Sequence, residues 1–233
     1  MHGWLEADVE VDGLVADRAL LGQASRAEQV AAVLRTRIGA GYFRPGERLA
    51  EDEITEALKV SRNTLREAFR LLTHERLVAH ELNRGMFVRV LDVDDVVDLY
   101  RVRKHVECSV VRAVTAPPPL DRVEQAVAQG GEALARRDWQ ALGTANILFH
   151  QEVVAVAGSP RLDELMRGVL AELRLVFHVM DNPRRFHQPY LERNREILAV
   201  LERGDGAAAE ALLAAYLDDA ERQLVAAYAE HRS

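Results

Sequence analysis

The order of apolar and polar positions between Glu51 and Arg70 predicts two short helices joined by a turn. Ile54, Ala57 and Leu58 recur at three-to-four spacing, Lys59-Val60 breaks the period, and Leu65, Ala68, Phe69 and Leu72 resume it. That is a helix-turn-helix pattern. Ser61 stands where its hydroxyl can accept from the free amides of the second helix's first turn. Arg62, Asn63, Thr64 and Arg66 then lie on the exposed face near a helix N-terminus, where such side chains suit phosphates and base edges. The two arginines would also serve as ordinary solvated helix charges.

Upstream, Ser25-Arg26-Ala27-Glu28 reads as a capping box for a helix that runs to about Ala40, buries Val30, Val33, Leu34 and Ile38, and ends at Gly39 and Gly41. Pro45-Gly46 marks a turn before the helix-turn-helix. Downstream, extended runs at Leu77–Leu82 and Met86–Val90 flank Asn83-Arg84-Gly85, a hairpin that reads as a wing with Arg84 and Gly85 at its tip. Residues 1–21 show no sustained period and are expected to form a partly disordered arm, with Trp4 and Leu5 as possible anchors.

Beyond residue 91 the helical period takes over. It predicts helices from Asp94 or Asp95 to the stop at Pro117-Pro118-Pro119, then Leu120–Ala135, Trp139–Ala157, Arg161–Met180, Pro189–Arg203 and Ala207–Ala229. Short connections between amphipathic helices imply an antiparallel bundle. The expected fold is therefore mainly α. An arm (1–21) precedes a winged helix-turn-helix domain (22–91) and an all-helical bundle of six to seven helices (92–233).

Charge changes the picture once it is divided. The net charge of -7 speaks against a nucleic-acid partner. Residues 22–90, however, carry 12 basic against 9 acidic side chains, whereas residues 91–233 carry 17 against 23. The basic excess lies with the helix-turn-helix. A single cysteine, Cys108, leaves no intrachain disulfide or cysteine-rich zinc site. No apolar run reaches the roughly 18 residues of a membrane span. The acidic first twenty residues do not resemble a signal peptide, so a cytoplasmic location is the default expectation.

Residues 26–90 resemble the winged-helix domain of the GntR family of bacterial transcription regulators. The resemblance rests on GYFRPGERL (Gly41–Leu49), SRNTLREA (Ser61–Ala68), the spacing of Leu71-Leu72 to Leu77-Val78, and NRGMFV (Asn83–Val88). It implies DNA contacts from Arg35 or Arg37, Arg62, Thr64 and Arg66, and entry of Gly85 into the minor groove with the wing. The helical half resembles the FCD ligand-binding domain of the FadR subgroup. There the carriers are Leu99-Tyr100-Arg101-Val102-Arg103 with Glu107, Asn146 with Phe149-His150, AGSP at Ala157–Pro160, and Ile197-Leu198 ahead of Glu202–Asp205.

Many FCD domains hold a divalent metal with one carboxylate and three histidines, and the metal helps grip a carboxylate-bearing effector. Matched by motif, those positions fall on Asn146, His150, Asn194 and Tyr216, so one ligand type of four survives. Neutral amides and a phenol of pKa ~10 are poor partners for zinc or nickel, and no tightly held metal or other cofactor is expected. What remains is a polar pocket of Asn146, His150, Asn194 and Tyr216, with Arg103 able to grip a carboxylate bidentately. Without the resemblance, Asn146 and His150 also read as a buried hydrogen-bonded pair. His178 and His187 are expected at the surface.

The functional expectation is a homodimeric, ligand-responsive regulator, a repressor by the commoner family arrangement, reading a palindromic operator on double-stranded DNA. A DNA-binding regulator whose bundle serves only dimerisation is the alternative. A metal-dependent enzyme is more remote, since no G-x-S-x-G or H-E-x-x-H occurs and the lone cysteine has no evident base.

Overall fold

Ser25 begins the first helix as its capping box predicts: its hydroxyl accepts from the Glu28 amide at 3.1 Å while the Glu28 carboxylate accepts from the Ser25 amide. The structure, a computed structural model, describes residues 25–177 and 183–231. The expected arm with Trp4 and Leu5, His178 and the last residues of the expected Arg161–Met180 helix lie outside the described residues. Helix α1 (Arg26–Gly39) buries Ala27, Val30, Ala31, Leu34 and Ile38. Val33, expected in that core, is 44% exposed. It sits about 100° around the helix from Leu34, off the stripe that its neighbours define.

Strand β1 (Arg48–Leu49) leads into helices α2 (Glu51–Leu58) and α3 (Arg62–His74). The turn between the helices closes on Lys59 in the left-handed region, φ 50°. Leu65, Ala68, Phe69 and Leu72 put the apolar face of α3 into the core shared with α1. Strands β2 (Val78–Glu81) and β3 (Gly85–Val88) form the expected hairpin, with Glu81 opposite Gly85. Its turn uses positive φ at Asn83 and at Gly85, where φ is 105°. β1 has no signature in the sequence, because two residues cannot display a period. It pairs antiparallel with β3, giving the order β1-β3-β2.

The bundle comprises α4 (Val93–Arg112), α5 (Asp121–Ala135), α6 (Trp139–Ala155), α7 (Pro160–Phe177), α8 (Pro183–Leu201) and α9 (Gly206–His231). Helix α6 lies centrally and packs on α4, α5, α7 and α8, while α9 runs against α4 and α8. Helix α8 starts six residues ahead of the expected Pro189. Pro183 takes its first position, where the missing N–H has no helical partner to lose, and Pro189 is carried inside the helix. No helix among the described residues is long and apolar enough to cross a membrane.

Polar bridges tie the head to the bundle. Arg89, just after β3, donates to Glu172 on α7 at 2.9 Å and to Asp95 on α4 at 2.6 Å. Arg174 on α7 donates from Nε to the Gly39 carbonyl at 2.7 Å and from Nη2 to Thr144 on α6. Gln140 donates to the Ala40 carbonyl at 2.8 Å. Replacing Arg89 strands a nearly buried Glu172, whose carboxyl burial already pushes above the usual range against the pull of Arg89. Arg89→Ala should therefore lower unfolding stability by about 2 kcal/mol in urea titration. An unchanged midpoint would mean that apolar contacts alone hold the junction.

Candidate DNA-reading face and bundle site

The first turn of α3 is built by Ser61. Its hydroxyl accepts from the Thr64 amide at 3.1 Å and shares a 2.8 Å hydrogen bond with the Thr64 hydroxyl. Arg62 and Arg66 project outward, their side chains 69% and 64% exposed, and each meets a carboxylate of α2: Arg62 with Asp52 at 2.9 Å, Arg66 with Glu51 at 3.5 Å. Asn63 donates to Glu67 at 3.2 Å. Exposed pairs of this kind contribute roughly 0–1 kcal/mol, so phosphate oxygens can replace the carboxylates at small cost.

At the wing, Arg84 pairs with Glu81 and lies over the Phe87 ring at 4.9 Å. Arg48 of β1 lies against Gly85, where a Cβ would come within 3.4 Å of its Nε. Arg48 carries no signal in the residue order, and the pairing of β1 with β3 gives its place. The two α1 candidates part company. Arg37 is exposed and stacks on Tyr42 at 5.5 Å. Arg35 grips Glu75 bidentately at 2.5 and 2.6 Å. Glu75 ends α3, so Arg35 stands at the opposite end of that helix from Ser61.

The five bundle residues come together, but as a closed network. Asn146 Oδ1 accepts from Asn194 Nδ2 at 2.8 Å and from the Tyr216 hydroxyl at 2.9 Å. One turn along α6, the His150 ring meets the Tyr216 ring edge-on at 4.9 Å, and its Nδ1 lies 2.6 Å from Glu107 Oε2. Arg103 Nε donates to the other oxygen of Glu107 at 2.7 Å. The bidentate grip on an outside carboxylate expected of Arg103 is thus partly taken by the chain itself. Glu107 sits four residues on, one helical turn away on the same face. That spacing was visible in the sequence, yet Glu107 was not counted as a site residue.

Electrostatics fix the protonation states. Arg103 and Glu107 are 1% and 0% exposed. Burial opposes both charges, and their mutual attraction overcomes it: the arginine stays charged and the carboxyl is held below its usual range. Burial lowers the pKa of His150 against the pull of Glu107, so the ring is neutral at pH 7. With an ionised carboxylate on Nδ1, the proton belongs there and Nε2 is a bare acceptor. Among the described residues, three buried atoms of the network have no hydrogen-bond partner: Arg103 Nη2, His150 Nε2 and Asn194 Oδ1. The crevice beside Asn146 and Asn194 encloses essentially no volume open to water.

This donor set does not fit a divalent cation. Asn146 Oδ1 already accepts twice. Burial raises the Tyr216 hydroxyl well above its ordinary value, which keeps it protonated. Among the described residues, no three His, Cys, Asp or Glu side chains are grouped to hold a metal ion.

Residues 98–219 match the FCD domain, and residues 26–88 match the bacterial regulatory proteins of the gntR family. The chain belongs to the GntR family. It is 32% identical over 162 residues to the Nta operon transcriptional regulator of Aminobacter aminovorans, covering 64% of this chain and 73% of that protein. It is 25% identical over 222 residues to the galactonate operon transcriptional repressor of Escherichia coli K12, covering 86% and 97%. A solved GntR structure from Rhodococcus sp. RHA1 is 51% identical, with a TM-score of 0.85 over 88% of this chain and 100% of that one. This GntR protein is accordingly a transcription regulator and not an enzyme.

His187, expected at the surface, is buried on α8 of this GntR chain. It packs edge-on against Phe177 at 4.8 Å and Phe186 at 5.1 Å, and it fills the space above Gly143, where a Cβ would lie 2.8 Å from Nε2. The early start of α8 turns it inward. Burial, aided by the Arg174 charge, lowers its pKa to about 4. An unfolded histidine takes its proton near pH ~6.5. Between those values the unfolded chain binds more protons, so stability falls as the pH drops from about 6.5 to about 4. Thermal unfolding should show the melting temperature dropping through that window, and His187→Phe should flatten the drop. An identical pH profile in the variant would contradict the burial assigned to this ring.

Proposed function

We propose that this chain is a repressor that reads a palindromic operator as a homodimer and changes its DNA affinity when a small polar molecule engages the Arg103–Glu107–His150–Asn146 network. The DNA-reading set comprises Ser61, Arg62, Asn63, Thr64 and Arg66 on the recognition helix α3, Arg84 and Gly85 on the wing, and Arg37, with Arg48 added and Arg35 set aside because of its pairing with Glu75. Two heads related by a twofold axis add their contact energies on two half-sites, which one head cannot match. Action on DNA is in keeping with a cytoplasmic protein.

The observation that carries the effector reading is the set of unpartnered buried atoms, Arg103 Nη2, His150 Nε2 and Asn194 Oδ1. Each such atom costs about 1–3 kcal/mol until it finds a partner. With Arg103 and Glu107 neutralising each other and His150 uncharged, the network carries no net charge. A neutral molecule with one acceptor and two donor groups suits it better than the carboxylate that the sequence suggested. No divalent metal takes part, because the donor set does not fit one. A second reading, in which the network only stiffens a dimerising bundle, is favoured by the doubly bonded Asn146 and the closed crevice.

Three measurements test the proposal. In fluorescence anisotropy on DNA from upstream of the chain's own coding sequence, the double variant Arg62→Ala, Arg66→Ala should lose specific binding; retained specificity would sink the recognition-helix assignment. In thermal-shift screening, small polyols and amides should raise the melting temperature of the parent but not of Tyr216→Phe, whereas no stabilisation by any of them supports the stiffening role. Elemental analysis should find far less than one zinc or nickel per chain, and a stoichiometric metal would overturn the reading of Asn194 and Tyr216.

A further inference from the structure

Between the head and the bundle lies an open cleft of about 630 Å3, separate from the buried network. That volume falls in the roughly 300–1,000 Å3 range of small-molecule sites, which favour domain boundaries. Ile38 and Leu77 of the head and Leu170 of α7 are buried beneath its floor, while Ile147 and Leu148 of α6 and Ala171 of α7 present its apolar surface beside Thr36 of α1. The charged side chains on the wall sort themselves. Arg35 pairs with Glu75, and Arg122 pairs with Glu152. That leaves Arg167 and Arg174 against Asp163, two guanidinium groups facing one carboxylate with no ion pair among the described residues.

Arg174 is the more telling of the two. It is partly buried, and burial pulls its pKa below the arginine value. Two of its five N–H groups are bound, to the Gly39 carbonyl and to Thr144. The remaining N–H groups can donate to a carboxylate without releasing either bond. A carboxylate there would replace the water lost on burial and supply the missing counter-charge.

We propose that this cleft binds a small amphipathic monocarboxylate, with its apolar tail against Ile147, Leu148 and Ala171 and its carboxylate on Arg174, supported by Arg167. Such a ligand touches α1 of the head and α6 and α7 of the bundle together. It therefore favours the head orientation in which both walls are in reach and shifts DNA affinity through that preference. The site is distinct from the network in the bundle core and takes an anion where the network suits a neutral molecule.

The test is calorimetric titration of the full chain with octanoate, with octanamide as the uncharged control. Octanoate should bind and octanamide should bind at least about tenfold more weakly, since only the former presents a charge-assisted acceptor. Arg174→Gln keeps a donor for Gly39 and removes the charge, and it should weaken octanoate by a similar factor. Thr36→Trp places bulk in the cleft from an exposed position on α1, with little risk to folding, and should also block binding. Tyr216→Phe should leave octanoate affinity unchanged. No octanoate binding, equal binding of octanamide, or binding that survives both Arg174→Gln and Thr36→Trp would overturn the proposal. Loss in Tyr216→Phe alone would move the ligand to the bundle core.

Discussion

The buried pair of Arg103 and Glu107 constrains the rest of the bundle. Neither side chain reaches water, and a lone charge in such a place costs several kcal/mol, so each is tolerable only beside the other. The pair fixes the inward face of α4. Through the second oxygen of Glu107 it fixes His150 on α6, and through the ring contact with Tyr216 it reaches α9. Three helices are thereby held in register by a polar seam inside an apolar core. Leucines alone would tolerate sliding between those helices, whereas a hydrogen-bonded seam has one geometry.

Much of this was legible from residue order. The helix-turn-helix announced itself because α3 must bury Leu65, Ala68, Phe69 and Leu72 on one face, which a helical period reveals directly. The wing was legible because Asn83 and Gly85 mark the positive-φ turn between two short strands. Long bundle helices were legible in existence and approximate in their ends. The convergence of Asn146, His150, Asn194 and Tyr216 came from family resemblance, since residues on three helices leave no common period.

What stayed hidden was of two physical kinds. Pairings across the chain, such as Arg35 with Glu75, Glu107 with His150, or Arg48 beside Gly85, depend on how helices and strands meet rather than on local pattern. Positions near prolines were the other kind. Pro189 was read as a start because proline ends most helices, yet Pro183 already supplied that start, and the six-residue difference carried His187 from the surface into the core. Val33 erred for a simpler reason: an apolar residue one step off the buried stripe still faces water.

The carboxylates of α2 that meet the recognition arginines bear on how this regulator responds to salt. A free arginine that reaches a phosphate releases a counterion condensed on the DNA, and that release makes affinity fall steeply with ionic strength. Arg62 and Arg66 arrive already neutralised by Asp52 and Glu51. When phosphate takes their place, the freed carboxylates gather cations from solution and return part of what the DNA released. On the proposed reading the recognition helix exchanges one anion for another, which would make its hold on DNA less sensitive to salt than its count of arginines implies.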